Sequence, residues 1–560
     1  MEGGSGWDSP PPRSVPHATP AGAAAWPAAA GRSRDPWPLA AGLVALLVAS
    51  PVLLVCASLA RPSVEVWRHL WATQLLELVG NTVALVVGVA LGVSVLGTGL
   101  AWLVTMYRFP GRAAFEGLLV LPLAMPAYVI GFVFLSIFDY TGPVQRTLRA
   151  LAGGPVRGVP EVASYGGLVL VMTLVLYPYV YVLARAAFLE QSESMREAAR
   201  ALGVSRRAVV WRVSLPLARP AIAAGVSLAL MEALADFGTV ALFNYPTFTV
   251  AIYRVWFGLF DRHAATELAS LLVVFTLGLY LTERALRGRA RFDPRGPGAA
   301  PVPRVTLAGW RGWTATGTAM LVVGAAFVLP VLRLVTWVPA AAAADSRYLG
   351  FLANTLAIAA VAALLAVSAA LVVAYGVRQS RRRIVTGLAR VASMGYALPG
   401  SVIAVGVLAL LAWLDRWVGG LFLVGSLLGL VFAYVVRFLA VGYQAVDASL
   451  ARITPSMDMA ARSLGVGPGG VLRRIHLPLL RRGLFTGALL VFVDVMKEMP
   501  ATLLLRPLGY DTLAVRVWQF TSESLWEAAA LPALTIVAAG IVPVVVLVWS
   551  SGRVSRAPRG

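Results

Sequence analysis

The 560-residue chain contains one cysteine, one lysine and four histidines, and only 13% of its residues are charged. Each scarcity excludes something. The lone Cys56 has no partner for an internal disulfide and reads as a small apolar filler in the first hydrophobic run. His17, His69, His263 and His476 are scattered, so no zinc-type constellation or other metal site exists. The single Lys497 lies in Val-Asp-Val-Met-Lys-Glu-Met. A nucleotide-binding loop needs a glycine-rich turn before Lys-Ser or Lys-Thr, so this chain cannot carry one. No cluster of His, Asp or Ser marks a nucleophile either, and the chain reads as no enzyme. It needs no cofactor of its own.

What is abundant is apolar: 59% of residues are hydrophobic and the mean hydropathy is +0.78. No ordinary soluble domain of this size has that composition. Twelve candidate spans run over 38–60, 79–106, 115–137, 166–189, 221–242, 266–282, 314–338, 352–377, 389–413, 419–445, 484–505 and 529–549. Each has about the 17–25 residues that carry a helix across ~30 Å of hydrocarbon, some with a turn to spare. Their Leu, Val and Ala show little period-2 alternation, which argues against a β-barrel. The expected fold is all-α: twelve transmembrane helices in a polytopic membrane protein.

The net charge of +21 follows topology. Six arginines fall in 190–220, seven in 283–313, five in 378–390 and six in 446–483, while the intervening loops hold few. By the positive-inside rule the rich loops and both termini are cytoplasmic. No basic module with interleaved aromatics is present, so no nucleic-acid partner is expected. Residues 1–37, rich in Pro, Ala and Gly, read as a disordered cytoplasmic tail. Residues 551–560 form a second tail. The first span reads as a retained helix because no small-residue cleavage site follows it.

The spans fall into two halves, 38–290 and 314–550, joined by a cytoplasmic linker over 291–313. Glu197-Ala-Ala-Arg-Ala-Leu-Gly203, running to Leu-Pro216, recurs as Met459-Ala-Ala-Arg-Ser-Leu-Gly465, running to Leu-Pro478. Asn81-Thr82 recurs as Asn354-Thr355, and Pro126, Val129 and Ile130 as Pro399, Val402 and Ile403. Six spans separate corresponding points. The repeat is therefore parallel, about a pseudo-two-fold axis along the membrane normal, with a path expected between the halves. Each repeated segment (191–220 and 453–483) predicts a helical hairpin. Gly203 or Gly465 ends its first helix in the left-handed conformation, Ser205 caps the next helix in the first copy, and Pro216 or Pro478 stops it.

This Glu-Ala-Ala-x-x-x-Gly pattern, with Leu-Pro twelve residues on, resembles the cytoplasmic signature of bacterial ATP-binding-cassette importer permeases. The resemblance implies that the hairpins are coupling helices seated on two separate cassette ATPase subunits, which bind the ATP. Glu197, Ala198, Ala199 and Gly203 would form one contact, and Asp458, Ala460, Ala461 and Gly465 the other. Met459 stands where the pattern has Glu, so a charge contact there is in question.

The span after each hairpin carries charge: Glu232 and Asp236 in the first half, Asp494, Lys497 and Glu498 in the second. Aligned, Glu232 pairs with Asp494 and Asp236 with Glu498. They lie about 18–25 Å from the cytoplasmic end at 1.5 Å per residue. Intramembrane charges face a cavity or a partner. These could form a structural lock between halves, line a path or gate, or close against an external binding protein. Leu234-Ala-Asp-Phe-Gly-Thr-Val240 and Met496-Lys-Glu-Met-Pro-Ala-Thr-Leu-Leu-Leu-Arg-Pro507 are similar to the ferric-iron branch of these permeases, whose halves are fused in one chain. That resemblance implies an inner-membrane iron importer with a periplasmic or lipoprotein binding protein. Thiamine and organophosphonate permeases share the fused architecture, and an ion-driven secondary transporter could also show parallel repeats. The latter has no reason to keep two hairpins.

Overall fold

The computed structural model describes residues 36–60, 62, 64–154, 161–191, 201–203, 205–287, 304–344, 347–380, 382–420 and 423–554. Twelve main helices follow one another. The first half has α1 (Trp37–Ser58), α2 (Leu75–Met106), α3 (Ala127–Phe138), α4 (Tyr165–Glu190), α5 (Leu215–Ala235) and α6 (Arg262–Arg287). In the second half, α7 runs over Trp310–Val323 and, through a π-helical turn, Leu329–Ala344. It is followed by α8 (Tyr348–Ser380), α9 (Gly400–Val418), α10 (Leu427–Leu450), α11 (Leu477–Met496) and α12 (Ala530–Val554). Ten helical stretches, corresponding to α1–α10, are long and apolar enough to cross a membrane. The arginines and Asp494 of α11 lower its hydropathy, and the apolar part of α12 is the shorter Ala530–Val546.

Several expected spans are interrupted, at the same places in both halves. The segment expected over 115–137 is a helix Arg112–Leu118, a 3-10 turn Leu121–Ala124, then α3. Its counterpart is Arg383–Ala392, Met394–Ala397, then α9. Pro126 and Pro399, both extended, lack the N–H a continuous helix would need. The spans expected over 221–242 and 484–505 also break, after Ala235 and Met496, and resume as the short helices Gly238–Leu242 and Pro500–Leu505.

The halves share a matching clasp. The Asn81 side-chain amide donates to the Pro246 carbonyl (3.1 Å), and the Tyr245 hydroxyl donates to the Asn81 carbonyl (3.2 Å). Asn354 donates to the Asp511 carbonyl (3.2 Å), and Tyr510 to the Asn354 carbonyl (3.0 Å). Lipid supplies no hydrogen-bonding substitute for such groups, so a polar tie between irregular backbone and a helix start is retained.

Helices pack by close approach. α2 lies against α4 and α5, as α8 lies against α10 and α11. A methyl group on Gly97 or on Gly225 would press on Val180 of α4 from either side, at 2.7 Å in each case. In α8 the same task falls to Ala359, Ala362, Ala366 and Ala370, all buried. Small residues at helix contacts replace the hydrophobic drive that lipid cannot provide.

The two hydrophobic cores do not coincide with the two sequence halves. One core gathers α2–α5 with α7 and α12. In it Phe132 stacks between Trp337 and Trp526, at ring-centre distances of 6.4 and 6.2 Å. The other gathers α8–α11 with α1 and α6. Each half thus contributes its first and last helices to the core of the other.

Candidate functional site

Where α5 and α11 break, the two halves enclose a cavity of about 110 Å³. All five charged residues singled out in the sequence line it: Glu232, Asp236, Asp494, Lys497 and Glu498. The breaks and the charges belong together. Asp236 Oδ1 accepts from the backbone N–H groups of Thr239 (2.8 Å) and Val240 (3.3 Å), and its Oδ2 from the Thr239 hydroxyl (3.0 Å). Glu498 Oε1 accepts from Ala501 N–H (3.0 Å). Each carboxylate therefore caps the short helix after the break, supplying the acceptor that the first N–H groups lack. The alignment of Asp236 with Glu498 is an alignment of two caps.

The remaining contacts differ between halves. Glu498 Oε2 lies 3.2 Å from Arg437 Nε on α10. Lys497 Nζ lies 2.8 Å from Asp494 Oδ1, one turn away in the chain. That pair is internal to the second half and does not itself bridge the halves. The bridge is Tyr396, beyond the helix Arg383–Ala392, whose hydroxyl donates to Glu232 Oε1 at 2.7 Å. Gly400, at the start of α9, leaves room for the ion pair: a methyl there would collide with Glu498 Oε1 and Arg437. Arg437 Nη1 and the Tyr128 hydroxyl are buried without a protein hydrogen-bond partner among the described residues. Both residues line the cavity, and such atoms call for water or a ligand oxygen.

Sequence reading passed over Arg437, Tyr396, Tyr128 and Gly400. Arg437 was findable, because it is a lone arginine inside a long apolar run. The tyrosines and Gly400 carry no local signal.

On the opposite, arginine-rich side lie the repeated hairpins. Gly203 and Gly465 have φ of +81° and +77°, the left-handed conformation expected of them. The Ser205 hydroxyl caps its helix, accepting from Ala208 N–H at 3.3 Å. Pro216 and Pro478, expected to stop the second helix, do not: Arg206–Val209 and Pro468–Val471 pass through π-helical turns, Val210–Ser214 and Leu472–His476, straight into α5 and α11. The prolines sit in the first turn of α5 and α11. The wider turn, closed by Leu215 N–H to Val210 O and Leu477 N–H to Leu472 O, absorbs the donor that proline lacks.

Of the first coupling set, Glu197, Ala198 and Ala199 lie outside the described residues. In the second hairpin the helix Pro455–Ser463 exposes Ala460 and buries Ala461. Asp458 faces the protein: its oxygens lie 2.9 Å from Arg378 Nη2 and 2.7 Å from His476 Nε2. Burial pushes the Asp458 carboxyl up, but the hydrogen bonds from His476 and Arg378 outweigh it and leave it below the usual carboxylate range. Thr105 and Ser214 occupy the corresponding places in the first half, so this clamp is one-sided. Leu202 and Leu464, just before the two left-handed glycines, are 85% and 82% exposed.

Residues 93–338 and 362–559 each match the family described as binding-protein-dependent transport system inner membrane component. The chain is 29% identical over 484 residues to the Fe(3+)-transport system permease protein FbpB 2 of Haemophilus influenzae, covering 85% of this chain and 90% of that protein. It is 28% identical to the molybdenum transport system permease protein ModB of Escherichia coli, over 37% of this chain and 88% of that protein. A similar match, 29% identical, joins 35% of this chain to 70% of the sulfate transport system permease protein CysT of Escherichia coli.

Proposed function

The chain belongs to the family of binding-protein-dependent transport system inner membrane components, and on that footing we propose that it is a permease carrying ferric iron into a bacterial cell by alternating access. The observation that carries the cargo reading is the charge of the cavity between the halves. Four carboxylates face two basic side chains, Lys497 and Arg437. Among the described residues Asp494 and Glu498 each have a basic partner, whereas Glu232 and Asp236 are held by hydrogen bonds alone. The surplus of negative charge suits a hard cation that prefers oxygen ligands and disfavours sulfate or molybdate. Size argues against an organic cargo. A cavity of about 110 Å³ holds an ion with several waters, far below the ~300–1,000 Å³ of sites for larger organic molecules such as thiamine. The match to a ferric permease along most of both chains agrees with this reading.

ATP hydrolysis belongs to two cassette ATPase subunits on the arginine-rich, cytoplasmic side, and a binding protein delivers iron to the other side. Closure of the ATPase pair draws the hairpins around Gly203 and Gly465 together. The two cores then rock and the cavity opens outward. Glu232, Asp236, Asp494, Lys497 and Glu498 line the path, and the Tyr396–Glu232 hydrogen bond closes it. Asp458 holds the second coupling helix against α8 and the turn before α11, while the exposed Leu202 and Leu464 enter the ATPase surface.

Radiolabelled ferric iron uptake tests the cargo. Cells lacking this chain and any redundant iron system lose uptake, the wild-type chain restores it, and sulfate and thiamine uptake stay unchanged. Iron uptake that survives the deletion would remove the cargo while leaving the permease. A second prediction concerns the seam. A hydrogen bond to a charged group contributes about 1.5–3 kcal/mol, so Tyr396→Phe shifts the closed-to-open equilibrium by roughly tenfold or more. Basal ATP hydrolysis by the reconstituted complex, without binding protein, should rise accordingly. A basal rate equal to wild type would take Tyr396 out of the gate.

A further inference from the structure

Where α2 ends, the linker docks. The short strand β1 (Tyr107–Arg108) pairs in parallel with β2 (Val305–Thr306). Leu307 N–H donates to the Arg108 carbonyl at 2.9 Å, and Arg304 Nε donates to the Thr105 carbonyl at 3.3 Å. Immediately above this dock a groove of about 440 Å³ runs between α2 and α7. Val95, Gly99 and Leu103 form one wall, and Ala315 and Thr318 the other, with Arg311 at the mouth. From Val95 to Leu103 the groove follows α2 for about 12 Å at 1.5 Å per residue. It opens outward, towards hydrocarbon: Val95 is 75% exposed, and Trp310 and Trp313 beside the mouth are more than half exposed. Tryptophans in such a place mark the headgroup level.

Arg311 lines the groove itself, and the strand dock next to it, which shares Leu307 with the groove, adds further positive charge. Arg112 and Arg185 share one carboxylate, Glu116, with Arg112 Nη1 at 3.1 Å from it. Arg108, Arg304 and Arg311 have no carboxylate within ion-pair distance among the described residues. Burial lowers the affinity of the Arg304 guanidinium for its proton, and the charges of Arg112 and Arg108 lower it further. Of the guanidinium groups around Arg304, only Arg112 has a described carboxylate beside it, the shared Glu116.

We propose that this groove binds an anionic phospholipid of the leaflet on the arginine-rich side, its acyl chain lying between α2 and α7 and its phosphate meeting Arg304, Arg108 and Arg311. The continuity of the basic rim with an apolar, hydrocarbon-facing groove selects a lipid over a free phosphate, which would use the rim alone. Basic pockets between membrane helices on this side suit anionic headgroups. The lipid joins α2 of the first half to α7 of the second, beside the segment that connects them.

The full chain, purified in mild detergent with the subunits that accompany it, is analysed by native mass spectrometry and lipid extraction. Wild type retains phosphatidylglycerol or cardiolipin over phosphatidylethanolamine, relative to the membrane it came from. Arg304→Gln with Arg311→Gln reduces that enrichment at least tenfold. Gly99→Leu supplies an independent check, because a Cβ there meets no atom within 4 Å, so the larger side chain enters the groove while every arginine is retained. It should lower the enrichment to a similar extent while the protein elutes as wild type and all the arginines are kept. Enrichment that persists in the arginine double variant overturns the proposal. So does enrichment lost with the arginines but kept in Gly99→Leu, since the groove would then hold nothing.

Discussion

Arg437→Met is expected to be the most damaging single substitution in this protein. It leaves Glu498 in the seam with only the Ala501 N–H as partner, and stranding one member of a buried ion pair costs about 3–5 kcal/mol. Glu498→Gln should cost less. Its amide oxygen can still cap the short helix Pro500–Leu505, and Arg437 remains in the field of Glu232 and Asp494. The double variant Arg437→Met, Glu498→Gln should be closer in stability to Glu498→Gln than to the sum of the two, because the stranded charge is gone. Thermal unfolding of detergent-purified protein, followed by size-exclusion fluorescence, measures this directly. The double variant should be present in the membrane yet fail to transport. Additive losses of stability would mean that the two side chains do not interact, and full transport by the double variant would show that the pair is not part of the path.

Leu464→Asp and Leu202→Asp come next. A large apolar side chain more than 80% exposed on the arginine-rich side, at the same point of both hairpins, is a contact surface left open by the described residues. Interfaces concentrate their energy in a few such anchors, at ~2 kcal/mol or more each. Either substitution should cut co-purification of the ATPase subunits about thirtyfold and abolish uptake, with the folded permease still in the membrane. Undiminished co-purification would place the ATPase contact elsewhere. Asp458→Asn should behave differently, since Asp458 faces inward. It should leave the subunits bound and raise the ATP hydrolysed per ion moved. The sign of the pH dependence follows from its depressed carboxyl: the clamp is at full strength above the ordinary aspartate value of about 3.9 and weakens only as pH falls below it. Any loss of coupling between pH 5 and 7 must therefore come from another group.

Much of this was legible in the sequence because hydrophobic runs and repeats are local signals. The two-half order and the left-handed glycines could be read from spacing, and the five charges stood out inside apolar runs, with a lock, a path and an external contact all open to them. The interruptions were harder. Pro126 and Pro399 stand inside runs that look continuous by hydropathy, and the cavity forms where α5 and α11 break. The charges were visible there, but not that Asp236 and Glu498 cap the short helices beyond the breaks. Arg437 was hidden by the hydrophobicity around it, although an arginine in such a run carries its own warning. Tyr396 and Gly400 could not have been found, because their importance comes from what approaches them across the fold. The prolines at 216 and 478 were misjudged for a backbone reason: a π-helical turn tolerates what an α-helix does not.

The exchange of first and last helices between cores also sets an order of assembly. α1 leaves the ribosome before the other eleven helices described, yet most of its core, formed by α8–α11, begins about 290 residues later in the chain. At ~5–20 residues per second that is some 15–60 seconds during which α1 sits in the bilayer without those neighbours. The core around α2–α5 likewise waits for α7 and α12, the last of the twelve helices described. Neither core can close before α11 has been made, so a chain cut between the halves carries two unfinished cores instead of one finished half.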